Sequence, residues 1–62
     1  MEREQEIAEL EFLVGNACSR TITLLMQPER EWRALREEAA FLAEKAGRLA
    51  ALIDEAEGTA GS

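Results

Sequence analysis

A chain of 62 residues with one cysteine, no histidine and no tyrosine, and 13 acids against 7 bases, carries a net charge of −6. That length permits one domain at most, and chains so short usually need a disulfide, a metal or a partner to fold stably. A single cysteine makes no internal disulfide and the common histidine ligands are missing, which leaves a partner chain as the expected staple.

The first predicted element is a helix over about residues 2–26. Ile7, Leu10, Val14, Ala17, Cys18, Leu24 and Leu25 share one face at helical spacing, with Leu13 at its edge and Thr21 inside it. Val14, Thr21, Ile22 and Thr23 are β-branched, which weakens the local helix propensity. Length and periodicity still favour helix over strand. Cys18 on this arc reads as a small buried hydrophobe. The strong break in the chain comes at Met26-Gln27-Pro28, because proline lacks an amide donor and pushes the preceding residue toward extended geometry.

Proline also suits a first helical turn, and Glu29 and Glu31 supply carboxylates for its positive end, so the second helix is expected over about 28–57. Trp32, Leu35, Ala39, Leu42, Ala46, Leu49, Ile53 and Ala56 step along it by alternating three and four residues. That is the seam of a coiled-coil-like helix, with large and small layers that let a facing helix approach closely. Glu29 with Arg33, Arg33 with Glu37 and Glu44 with Arg48 stand at i,i+4 spacing on its outside. Gly58 is the expected C-cap, leaving 58–62 as a flexible tail after a single domain of residues 1–57.

Two long helices with a short break make an antiparallel hairpin, in which Leu24 or Leu25 meets Trp32 and Leu13 lies level with Leu42. The fold class is therefore all-α. A lone hairpin leaves much of both apolar arcs wet, and a flank of Ala8, Gly15, Ala40, Gly47 and Ala51, extended near the turn by Ile22 and Met26, reads as a line of close backbone approach. A second copy covers stripe and flank together, giving a homodimeric four-helix bundle. Its expected core and interface are Ile7, Leu10, Val14, Leu25, Trp32, Leu35, Ala39, Leu42, Ala46, Leu49 and Ile53.

Chemistry finds little to work with. Acid–base catalysis at neutral pH most often uses histidine, Cys18 lacks a neighbouring base, and the carboxylates point away from the seam. The expectation is no enzyme, no cofactor and no metal site. No apolar run reaches the ~18–20 residues that cross a bilayer, and the acidic opening Met1-Glu2-Arg3-Glu4 is unlike a secretory signal, so a cytoplasmic protein is expected. A pI near 4.5 disfavours anionic lipid and nucleic acid as partners.

The expected function is then protein–protein interaction, as an adaptor, scaffold or small regulator or inhibitor. Its candidate partner surface is an outer face carrying Phe12, Asn16, Arg20, Phe41 and Leu52. Gln5, Glu9, Phe12, Asn16, Ser19 and Thr23 together form an amide-and-hydroxyl face with an exposed phenylalanine. In layout this resembles the RNA-binding face of Rop-type helical hairpin dimers, a resemblance of helix length and Ala/Leu layering that implies an RNA-binding regulator as the alternative. Arg20 is a single base among acids on that face, whereas RNA binding needs several.

Overall fold

In a computed structural model, which describes residues 2–61 of the backbone and the side chains of 2–58, the described chain is all-helical. Helix α1 spans Glu2–Met26 and helix α2 spans Trp32–Gly61. They run antiparallel and form a rod of 50 × 15 × 14 Å. The β-branched run in α1 stays helical with local help. The Thr21 hydroxyl donates to the Ala17 carbonyl at 2.8 Å and the Thr23 hydroxyl to that of Ser19 at 3.0 Å. Such bonds to the preceding turn satisfy the two hydroxyls, while the helix itself is held by its packing against α2.

The turn differs from the sequence expectation, which begins the second helix at Pro28. Residues 27–29 bend instead, and the first helical bond of α2 runs from the Leu35 amide to the Glu31 carbonyl at 2.9 Å. Antiparallel axes must stand 8–10 Å apart, and the five residues 27–31 cover that gap. Pro28 uses its fixed φ to reverse the chain rather than to start a helix. The Gln27 amide donates to the Leu24 carbonyl at 3.4 Å, and Arg30 Nε donates to the Leu25 carbonyl at 3.3 Å. A cation thus sits on the negative end of α1, with its guanidinium 5.8 Å from the centre of the Trp32 ring.

At the other end α2 continues through Gly58 to Gly61, and no described glycine has a positive φ. Gly58 is therefore no C-cap. One helical glycine costs only about 1 kcal/mol relative to alanine, which the helix tolerates. The expected flexibility of 58–62 concerns side chains that, beyond Gly58, lie outside the described residues.

The helix contact is a narrow seam. On α1 it follows Leu10 and Ala17, both buried, with Ile7, Val14, Thr21 and Leu24 half-buried beside them. On α2 it follows Leu35, Leu42, Leu49 and Leu52, with Glu38, Lys45 and Ala56 half-buried in the same line. Ala17 is 0% exposed, as a methyl group must be where two helices press together.

Candidate interaction surface

The seam divides the surface of the hairpin into two edges of opposite character. Along one edge run the cross-helix ion pairs. Arg48 grips Glu6 with two donors, Nε to Oε2 at 2.8 Å and Nη2 to Oε1 at 3.2 Å. Arg20 Nε lies 3.0 and 3.1 Å from the two carboxylate oxygens of Glu38. The hydrogen bond from Arg48 holds the Glu6 carboxyl below its ordinary value, against a small opposing effect of desolvation, and the same bond raises Arg48. Arg48 therefore reaches across to α1 rather than pairing with Glu44 as the i,i+4 spacing suggests. Phe41 lies half-buried near this edge with Lys45 Nζ 5.5 Å from its ring centre.

The other edge is apolar. At 100° per residue, Cys18, Ile22 and Leu25 lie to one side of the seam on α1, with half-buried Val14 at its boundary. Trp32, Ala39, Ala46 and Ile53 lie to one side of it on α2, and the antiparallel direction brings both rows to the same side of the hairpin. Trp32 is 68% exposed, and Ile22, Leu25, Met26 and Ile53 are exposed with it. Cys18 is exposed as well, correcting its reading as a buried residue. Ala17, 100° round the helix, takes the seam position instead.

The expected core is thus split between two surfaces. Leu10, Leu35, Leu42 and Leu49, with Ile7 and Val14, belong to the contact between α1 and α2. Leu25, Trp32, Ala39 and Ile53 do not, and Ala46 is half-buried at the boundary. The expected meeting of Leu24 or Leu25 with Trp32 is replaced by a half-buried Leu24 and an exposed Leu25 and Trp32. The leucine column at 35, 42 and 49 serves the hairpin while the column at 32, 39, 46 and 53 stands free beside it. An arc wide enough for two neighbours has found one.

The expected partner surface is also divided. Phe12 is 71% exposed, and Asn16 and Arg20 follow it at i+4 steps on the outside of α1. Leu52, expected on the outer face, is 2% exposed and lies in the seam. Its column runs through Glu38 and Lys45, whose apolar stems pack while their charged ends reach water, so the pattern is masked in the sequence. Phe41 is half-buried, so Phe12, Phe41 and Leu52 form no common patch. A shallow groove lined by Ser19, Arg20, Thr23, Leu24, Ala34, Glu37 and Glu38 lies near the turn on the ion-paired edge. Gly15 and Gly47 have open space where a Cβ would stand, so the close approach expected at them is not made within the hairpin.

Among the described residues no three His, Cys, Asp or Glu side chains gather so as to hold a metal ion, and no helix is long and apolar enough to cross a membrane. These features define a two-helix antiparallel hairpin with one charged and one apolar edge. Comparison of the chain with known protein families, with curated proteins and with solved structures gives no significant match.

Proposed function

We propose that this chain is a non-enzymatic assembly module: a helical hairpin that pairs with a second copy through its apolar edge and acts by binding another protein. The observation that carries this reading is the surplus of surface. The chain exposes 4873 Å². A folded monomer of its mass exposes roughly 4000 Å², so roughly 900 Å² is in excess. A stable protein–protein interface takes about 800 Å² from each partner. The radius of gyration agrees, at 14.5 Å, against roughly 11 Å for a compact single domain of this length. Ile22, Leu25, Trp32 and Ile53 are exposed on one edge, as large apolar side chains are on surfaces that another chain covers.

In the resulting four-helix bundle the ion-paired edges and the outside of α1 remain in water. Phe12, Asn16 and Arg20 then supply the partner-facing surface, in the role of adaptor, scaffold, regulator or inhibitor. A cytoplasmic setting suits a chain with a lone Cys18, since a reducing compartment keeps the thiol out of disulfides. The RNA-binding alternative loses its one base on that face, because Arg20 is already engaged by Glu38.

Sedimentation equilibrium tests the assembly. The expected mass is twice the 6.9 kDa of the chain, and Ile22→Ser combined with Trp32→Ser should return it to the monomer while far-UV circular dichroism still reports helix. A well-folded wild-type monomer at all concentrations would overturn the reading.

A further inference from the structure

We infer that the second copy docks head to tail, with the turn of each hairpin over the open end of the other. The inference rests on the proposed dimer and adds its orientation. Two hairpins stacked on one edge have two ways to satisfy a two-fold axis lying between them: turns together at one end, or turns at opposite ends. Size and charge choose between these independently.

The apolar edge tapers. Its turn half holds Ile22, Leu25 and Trp32, all exposed, while its distal half holds half-buried Val14 on α1 and Ala46, Ala50 and an exposed Ile53 on α2. With the turns together, three large exposed side chains from each copy crowd one end while the other end offers Ile53 alone among exposed large residues, an unevenness that close-packed interiors avoid. Head to tail, the large exposed side chains are shared between both ends of the contact. Along this axis α2 meets its own copy through Ala39, Ala43, Ala46 and Ala50, with Trp32 at one end of the column and Ile53 at the other. That order of large, small and large is unchanged in outline when reversed, as an antiparallel self-contact requires.

Charge is as uneven as size. The turn half, residues 15–43, has four acids and four bases and is neutral. The distal half, residues 1–14 and 44–62, has nine acids and three bases and carries the entire −6. Turns together would set two such ends side by side within a Debye length. Head to tail places each acidic end beside a neutral turn half that carries Arg30, Arg33 and Arg36, and the mutual repulsion of the two acidic ends is relieved.

The test places a spin label at the turn through Gln27→Cys in a Cys18→Ala background, after sedimentation has shown that this variant still dimerises. Distance measurement by double electron–electron resonance should give a label separation of about 40 Å, the length of a 25-residue arm at 1.5 Å per residue. A separation within about 20 Å, alone or beside the longer one, overturns the head-to-tail orientation, since turns together stand only one or two interhelical spacings apart. Should Cys18→Ala abolish association, Cys18→Ser takes its place. A wild-type monomer in sedimentation is a different result, because it removes the dimer itself. Lower salt should weaken a turns-together pair steeply and a head-to-tail pair far less, and a steep loss of dimer at low salt would count against the proposal.

Discussion

The two edges of the hairpin are built from the same two helices and meet the same solvent, yet one is finished and the other is not. On the ion-paired edge every reach is internal: Arg48 to Glu6 and Arg20 to Glu38 tie one helix to the other. On the apolar edge Ile22, Leu25, Trp32 and Ile53 keep 44–68% of their surface in water. The difference shows that a helix pair can be complete in its polar contacts while its apolar arc still has room for a neighbour. Polar edges set register and direction. Apolar edges set how many helices the fold needs.

The largest effect should come from erasing the seam that separates the edges. Leu52→Asp places a charge at a position 2% exposed. Burying an unpaired charge destabilises by several kcal/mol, against a total stability of roughly 3–5 kcal/mol for so small a core. Circular dichroism should show loss of most helix at room temperature, and a helical Leu52→Asp chain would mean that Leu52 is not in the seam. A smaller effect of opposite sign is expected on the back of α2. A methyl group added at Gly47 would have nothing within 4 Å of it, so Gly47→Ala should raise stability by about 1 kcal/mol through helix propensity alone. A thermal melt that falls instead would show that something packs close against Gly47.

The smallest effect belongs to the ion-paired edge. Glu6 has a lowered carboxyl, so its pairing with Arg48 adds stability above the ordinary carboxylate range and loses it as pH falls through the lowered value. The groups are exposed, and screening keeps their contribution slight. Glu6→Gln should lower the melting temperature modestly at neutral pH and low salt, with the difference from wild type vanishing in strong acid or at high salt. A difference that persists under both conditions would mean that Glu6 acts by packing rather than charge.

Much of this is legible in the sequence. The seven-residue spacing of Leu35, Leu42 and Leu49 marks the face of α2 that meets α1, and Met26-Gln27-Pro28 marks the reversal. The seam's centre is not legible, because Glu38 and Lys45 stand in the column that leads to Leu52 and disguise it as a charged row. Trp32 and Ile53 therefore read as seam residues when the hairpin leaves them outside. Nor is the Glu6–Arg48 pair legible, since residues 42 positions apart become neighbours only once the register is known. Cys18 and Ala17 are adjacent in the chain, and only the packed structure shows which of the two the partner helix covers.

Pro28 has one more consequence. Helical hairpins can open at the turn and exchange arms, the two helices fusing into one long rod that pairs with another. For this chain the fused rod would run its helical ladder through Pro28, which has no amide to give the Leu24 carbonyl and whose ring clashes with it, at about 3 kcal/mol. That cost disfavours exchange through a straight fused rod and favours keeping the two helices folded back on each other.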